Sequence, residues 1–420
     1  MGPRLDPRCP QRRLSRSRTI SPRHGPLRCV STCSPANPEN SPDRALHRSH
    51  PPCYRITPRN CPACLVLLHD FIMPTFNADQ LLSIAVQVLE GAGVPPADAA
   101  VVAAELRDAN LVGHDSHGVM RLVQYVQMID DGFVKPGGEF EVLRDAPAFA
   151  VADAHFNLGQ VAATRALEIA REKARAVGTA TVMVRNCNHV GRLGSYTHRA
   201  ALDGFAAQMA VNSPGPGGVA AFGGIDKKLG TSPISMAVPA AGDAFVLDMT
   251  TSATAEGKLR VAFQKGERVA DGLIIDGEGN PSTDPGDFYK DPPGAILPLG
   301  GPLLGHKGYG LSVMLDMFCG VLSGSGVARD DLPRGANGVW LTLLDIEQFL
   351  PKGEYDGWVA RYIEHIKSSR RMPGVDEILL PGEIEQRRSK QRALEGVPIP
   401  EETWRQIRET AERLGVELAP

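Results

Sequence analysis

Cysteine is scarce wherever the chain looks folded. Six of its eight cysteines precede residue 73, and the remainder has only Cys187 and Cys319. Two thiols build no disulfide framework, and this usage fits a reducing cytoplasm. Lysine is missing from residues 1–72, which hold 12 arginines against four acidic residues, while the rest has 44 acidic residues against 33 basic ones. An acidic body argues against nucleic acid or an anionic membrane surface as partner. No apolar run approaches the ~18–20 residues that cross a bilayer. Neither His-Glu-x-x-His nor a paired-cysteine pattern occurs after residue 72, and Cys61-Pro-Ala-Cys64 has no second pair, so no metal is expected. Without Gly-x-Ser-x-Gly or Walker A spacing, the usual serine-hydrolase elbow and an ATPase are not supported.

The first 72 residues also hold 12 of the 34 prolines. That much proline defeats the amphipathic helix of a transit peptide, and residues 64–68 are too short for a secretory core. Residues 1–72 are expected to be a disordered extension, or the product of a start assigned too far upstream, with Met73 as the true beginning. The remaining length buries a substantial core, and 42% apolar with 22% charged residues is a globular composition.

From there the pattern divides. Asn77 or Asp79 caps a helix over 81–90, another covers 97–111 and stops at Gly113, and a third starts at Asp115 or Ser116. From residue 148 strands and helices mix: strands at 148–152, 179–184, 205–211 and 244–247, and helices over 160–176 and up to about 202. Residues 266–302 are dense in Gly, Pro and Asp and read as loop; 311–322 and most of 358–414 read as helix. The fold class is α/β with a mixed sheet. The expected division is a helical domain over 73–147 joined by 330–420, and an α/β domain over 148–329.

Three stretches hold groups suited to chemistry. In Gly113-His-Asp-Ser-His-Gly-Val-Met-Arg121, His117 and Arg121 lie one turn apart on the expected helix, near its positive end, where a carboxylate can sit beside a proton-transfer group; a solvated polar face is the plainer explanation. His189 follows a strand in a loop with Gly191, Arg192 and Gly194, a position suited to a ligand. Gly215-Pro-Gly-Gly-Val-Ala220 matches the dinucleotide pattern formally, but Phe222-Gly-Gly breaks the helix that it must open, so a Rossmann turn is rejected and Ser213 kept as a cofactor contact. Asp248 ends a strand, where it accepts ribose hydroxyls, orients an imidazole or merely caps a turn. Gly305-His-Lys-Gly-Tyr-Gly310 is expected just before an apolar helix, as a pyrophosphate cradle. A hydrolase using Ser116, His117 and Asp248 is the distant alternative, although adjacent residues on a helix diverge by ~100°.

Taken together, Gly-His-Asp-Ser-His-Gly at 113–118, Asn-His-Val-Gly-Arg-Leu-Gly at 188–194, Gly-Thr-Ser-Pro at 230–233, Leu-Asp-Met-Thr-Thr-Ser at 247–252, Gly-Lys-Leu-Arg at 257–260 and His-Lys-Gly-Tyr-Gly at 306–310 resemble the type-2 malate/L-lactate dehydrogenase family. The resemblance begins near residue 76, in keeping with a start at Met73, and runs to the C-terminus. Leu-Leu-Pro-Gly-Glu at 379–383 and the 266–285 loop are closest to the hydroxycarboxylate dehydrogenase branch. The resemblance implies a homodimer in which 148–329 is a non-Rossmann domain for NAD or NADP and 73–147 with 330–420 is the substrate and dimer domain, acting on 2-hydroxy acids or, as the runner-up, on cyclic imino acids. It also implies roles: His117 beside nicotinamide and substrate, Arg121 on the carboxylate, and His189 or His117 as acid/base. Cofactor contacts fall on His117, Gly191, Arg192, Leu193, Ser213, Leu247, Asp248, Met249, Thr250, His306, Lys307, Gly308 and Tyr309.

Overall fold

The computed structural model describes residues 73–418 apart from 241, 330 and 332–334, so the expected extension over 1–72 lies outside the described residues. A seven-stranded sheet organises them, in the order Glu141–Ala146, Phe149–Asp153, Thr179–Cys187, Asn337–Asp345, Phe205–Asn212, Ile234–Ala240 and Asp243–Met249. Phe149–Asp153 and Thr179–Cys187 run parallel, joined by helix Gly159–Val177, and the other pairings are antiparallel. This is a mixed α/β sheet and not a doubly wound Rossmann sheet. The rejected glycine pattern leads into a short strand, Val219–Ala220.

Packing explains the strand choice. Val182, Val184, Met209, Val211, Val339, Leu341 and Leu343 form one buried cluster under Ala162, Ala163, Ala166, Leu167, Ala170 and Ala174 of helix Gly159–Val177. Alanine at these helical positions lets the helix axis approach the sheet closely. Asn337–Asp345 falls where C-terminal helix was expected, yet it is the central strand. Its run Val339-Trp-Leu-Thr-Leu-Leu344 is nearly continuous in apolar residues: Val339, Leu341 and Leu343 are buried, but the other face also carries Trp340 and Leu344, half-buried and exposed, so no apolar/polar alternation marks it. The 266–302 stretch also departs from expectation. It contains the strands Ile274–Ile275, Pro281–Ser282 and Ala295–Ile296, which join Val219–Ala220 and Lys227–Leu229 in a five-stranded sheet. Two-residue strands are too short to show a period.

A second core joins the two ends of the body. Helices Ala78–Gly91, Pro96–Leu111 and Arg121–Asp130 pack with Val397, Ile399, Ile407 and Ala411. The first opens with the expected Asn77 cap: Gln80 N–H donates to Asn77 Oδ1 at 2.8 Å, and Asn77 N–H to Gln80 Oε1 at 2.9 Å. Cys187 and Cys319 are buried free thiols. Among the described residues no helix is long and apolar enough to cross a membrane.

Candidate active site

The expected helix through His117 and Arg121 is broken. A 3₁₀ turn, Asp115–His117, is followed by extended Gly118, and the α-helix begins only at Arg121. The cause is Asn110, whose Oδ1 accepts the Val119 N–H at 2.8 Å. A Cβ on Gly118 would lie 2.1 Å from that oxygen, so the chain passes close against Asn110 there as glycine. His117 and Arg121 therefore come near each other across a break rather than along one helix face. The tight turn also brings Ser116 Oγ to 3.0 Å from His117 Nδ1, contrary to the divergence expected on a helix. Arg121 Nε donates to the Ser116 carbonyl at 2.6 Å and Nη1 to Gln124 Oε1 at 2.5 Å. Among the described residues no hydrogen bond is recorded at Nη2.

Helix Glu383–Glu395, the last but one among the described residues, anchors this turn. Arg392 grips Asp115 through Nη1 at 2.6 Å and Nη2 at 3.1 Å, and Asn110 Nδ2 donates to Asp115 at 2.7 Å. Glu385 lies 3.5 Å from His114 Nε2.

His189 arrives from the other core. Its loop is pinned by Asn188, whose Nδ2 donates to the carbonyls of Phe133, Phe156 and Asn157. Neighbouring His155, Phe156 and Asn186 have positive φ angles of 47°, 63° and 52°, conformations that such side chains adopt only when the surroundings hold them there. The His189 and His117 rings stack with centroids 5.4 Å apart and planes 23° from parallel. Behind His189, Tyr125 Oη is 2.6 Å from Nδ1, and Gln160 Nε2 donates to that hydroxyl at 2.7 Å. Neither Tyr125 nor Gln160 was singled out from the sequence. The available signal was a tyrosine in an aliphatic stripe, between Leu122 and Val126, since a buried hydroxyl must find a partner.

Electrostatics set both imidazoles neutral. Burial, aided by the charges of Arg121, His114, Arg192 and Lys258, brings the pKa of His117 down to about 3. Burial, then Arg121 and His117, holds His189 well below its ordinary value. Burial pushes the Tyr125 phenol up to about 12, so it keeps its proton. Lys258, on helix Glu256–Lys265, was quoted only within a motif, and its charge bears on the site.

The third contribution is the corner where Asp248 meets helix Leu193–Leu202. Asp248 accepts the Gly194 N–H at 2.7 Å, the capping role, and lies 3.6 Å from Arg192 Nε. Burial raises its pKa against the pull of Arg192. These partners are not those of a hydrolytic triad, since Asp248 is spent on Gly194 and Arg192 rather than on His117. Arg192 is buried, and its Nε has no hydrogen-bond partner among the described residues. Of its neighbours in the strand, Leu247 is exposed, Met249 packs against Ile234 and Leu315, and Thr250 Oγ1 donates to the Ser252 carbonyl at 3.1 Å. Ser213 is exposed just past strand Phe205–Asn212.

The cradle expected at 305–310 is not at a helix start. Helix Gly301–Leu315 runs through it, so the free N–H groups lie four residues upstream. Its glycines serve packing: a Cβ on Gly308 would meet the Leu299 backbone at 2.4 Å. His306 and Lys307 are exposed, His306 lies edge-on to Phe222 at 5.7 Å, and Tyr309 packs on Val219, Leu259 and Ile274. No contact recorded among the described residues joins His306 or Tyr309 to His117 or His189.

Comparison with known proteins agrees with this architecture. The malate/L-lactate dehydrogenase family model matches residues 76–408. The chain is 40% identical over 346 residues to the malate dehydrogenase of Pyrococcus horikoshii, covering 81% of this chain and 95% of that one. The solved structure of the malate dehydrogenase from the same species superposes with a TM-score of 0.76 at 36% identity, covering 83% of this chain and 98% of that one. Identity to hydroxycarboxylate dehydrogenase B of Escherichia coli K12 is 32%, over 81% of this chain and 94% of the relative. The delta1-piperideine-2-carboxylate reductase of Pseudomonas syringae superposes with a TM-score of 0.71 at 26% identity, over 80% of this chain and all of that one. The chain belongs to the malate/L-lactate dehydrogenase family.

Proposed function

We propose that this NAD(P)-dependent 2-hydroxyacid dehydrogenase binds its substrate's carboxylate on Arg121 and exchanges the hydroxyl proton with His189. One observation carries the reading: two neutral imidazoles stacked at 5.4 Å beside a guanidinium with an unspent N–H. A guanidinium pairs with a carboxylate through charge-assisted hydrogen bonds. It leaves the 2-hydroxyl to face an uncharged imidazole, which takes the proton once its nitrogen on the substrate side carries a lone pair. His117, stacked on His189, closes the other side. As the carboxylate binds, it offsets the Arg121 charge that disfavours the imidazolium, so proton uptake on His189 becomes easier in the complex than in the free enzyme.

The residues at the Arg192–Asp248 corner fit a dinucleotide. A buried guanidinium with an orphaned N–H lies beside Gly194, where a Cβ would come within 2.6 Å of Arg192 Nη2 and 2.8 Å of Asp248 Oδ2. Gly191, Arg192, Leu193 and Asp248 would hold the cofactor, which when bound takes or returns the hydride. The neighbouring Leu247, Met249, Thr250 and Ser213, and His306 to Tyr309 from helix Gly301–Leu315, extend that surface in this reading. The choice between NAD and NADP goes to the assay. A homodimer is supported by an exposed apolar stripe on that helix and the turn after it, formed by Leu303, Leu304, Met314, Met317, Val321 and Leu322. The two free thiols support a cytoplasmic location.

The test follows absorbance at 340 nm with pyruvate, oxaloacetate, phenylpyruvate and a cyclic imino acid, each with NADH and NADPH. Turnover of an oxo acid, abolished to within about 10²–10⁴-fold by His189→Ala, is expected. Activity of that variant within tenfold of wild type removes His189 from the role. Turnover of the imine alone moves the substrate to the imino-acid class, the second reading, to which the weaker likeness to the Pseudomonas reductase lends support.

A further inference from the structure

Proton acceptance by an imidazole needs a lone pair on the nitrogen that faces the substrate. In His189 that nitrogen is Nε2, because Nδ1 faces Tyr125. A neutral ring with a free Nε2 must carry its proton on Nδ1 and donate it to Tyr125 Oη. The recorded arrangement is the opposite one. Gln160 Nε2 donates to Tyr125 Oη, so the phenol has its own proton available for His189 Nδ1, and the ring proton belongs on Nε2. Were Nδ1–H and the amide both to donate to Oη, the phenolic proton would have no acceptor recorded among the described residues, in a region where Tyr125 and Gln160 are buried. The acceptor needed for the other arrangement is already at hand. Gln160 Oε1 is buried without a hydrogen-bond partner, and turning the amide over places it against Tyr125 Oη.

We propose that Tyr125 and Gln160 are positioning residues that select the tautomer of His189, with the two orientations of the Gln160 amide matching its two neutral forms. With the amide nitrogen toward Tyr125, His189 rests as the Nε2–H form and cannot accept a proton from a hydroxyl. With Oε1 toward Tyr125, the phenol donates to Gln160 and accepts from Nδ1–H, and Nε2 is armed as a base. In the oxidation direction the substrate O–H bond then breaks, an Nε2–H bond forms, and the resulting imidazolium keeps its Nδ1–H on Tyr125. The high pKa of Tyr125 keeps the phenol a proton-bearing link throughout. This inference rests on the reading of His189 as the acid/base.

The experiment is nitrogen NMR of ¹⁵N-histidine-labelled full-length protein in the free state. In the free wild type His189 is expected as the Nε2–H form. Gln160→Glu offers only acceptors to Tyr125 and is expected to convert the ring to Nδ1–H. Gln160→Met, which leaves Nδ1 as the phenol's acceptor and covers the case in which the glutamate variant does not fold, is expected to hold Nε2–H. Tyr125→Phe, nearly isosteric, is expected to lower kcat about tenfold with KM little changed. The same tautomer in wild type, Gln160→Glu and Gln160→Met, or Nδ1–H in the free wild type, overturns the proposal. His189→Ala separates the two ideas. If that variant retains turnover while Gln160→Glu still inverts the tautomer, the switch stands and the acid/base role falls. If it is inactive and the tautomer never moves, the role stands and the switch falls.

Discussion

Gly159→Ala should disable the site while leaving the chain folded. Gly159 opens helix Gly159–Val177, and a Cβ there would sit 2.2 Å from the Asn188 carbonyl oxygen, 2.5 Å from that of His189 and 2.6 Å from the His189 carbonyl carbon. Close carbon–oxygen contacts in proteins run at about 3.3 Å or more, so the helix start and the His189 loop must separate by about 1 Å. Every atom met is backbone, hence no side chain can swing aside. The loop also cannot simply float away, because Asn188 ties it to three carbonyls. Overpacking of this kind costs about 1–3 kcal/mol. A displacement of about 1 Å at a reacting group can cost 10²-fold in rate. Arg121 is held by Ser116 and Gln124, away from this contact, so KM should move much less than kcat. Steady-state kinetics with the preferred oxo acid and a thermal melt give the answer: kcat down about 10²-fold, KM within a few-fold, and a melt still cooperative. A folded variant with kcat within threefold of wild type refutes the claim that His189 is set by this contact.

Four further outcomes follow from the same geometry. Arg121→Ala should raise KM for the oxo acid about 10²-fold, the worth of a charge-assisted contact, and an unchanged KM ends the carboxylate assignment. The acid/base pKa read from kcat should lie above that read from kcat/KM, because a bound carboxylate offsets the Arg121 charge that lowers His189 in the free enzyme; equal values contradict that coupling. His117, at about 3 when folded against 6.5 as the reference value, binds its proton more readily in the unfolded chain. Stability should therefore fall as pH drops below about 6.5, by about 1.4 kcal/mol per unit for this one group. His117→Gln should remove that share of the slope in urea titrations between pH 7 and 5, and an identical slope counts against it. Arg392→Ala removes the ion pair to Asp115 and loosens the 115–117 turn, with kcat/KM expected to fall about tenfold; wild-type kinetics would show that helix Glu383–Glu395 does not seat the turn.

The regular elements were legible where a period had room to repeat. The Asn77 cap, the helix ending before Gly113, the strand and helix bracketing residue 178 and the helix after Arg192 all stand close to expectation. The central strand Asn337–Asp345 was not, because Trp340 and Leu344 put apolar residues on its less buried face too and so hide the alternation that identifies a strand. The helix through 305–310 was hidden by its glycines, which read as loop until Leu299 is seen against Gly308.

The site divides along a different line. Its charged and titratable members are visible in sequence because residue type alone announces the chemistry: an imidazole, a guanidinium, a carboxylate at a strand end. What sequence cannot show is which of these share a hydrogen bond, since Tyr125 and His189 are 64 positions apart and Gln160 reaches Tyr125 across 35. Nor does local pattern show an obstruction. Helical periodicity favours a continuous helix through Gly118, and it fails because one distant amide, Asn110, occupies the space and claims the Val119 N–H. That failure matters for the reaction. A continuous helix would have held His117 and Arg121 at the fixed rise of one turn, with both side chains leaning the same way. The break instead lets Arg121 bond back to the Ser116 carbonyl while His117 turns to stack on His189, so the guanidinium proposed for the carboxylate and the imidazole that packs on the proposed acid/base leave a single kink in different directions. An Asn110→Ala exchange, which frees Val119 and opens the space beside Gly118, should relax that kink, and loss of activity without loss of the helix Pro96–Leu111 would show that the kink, rather than the helix, carries the function.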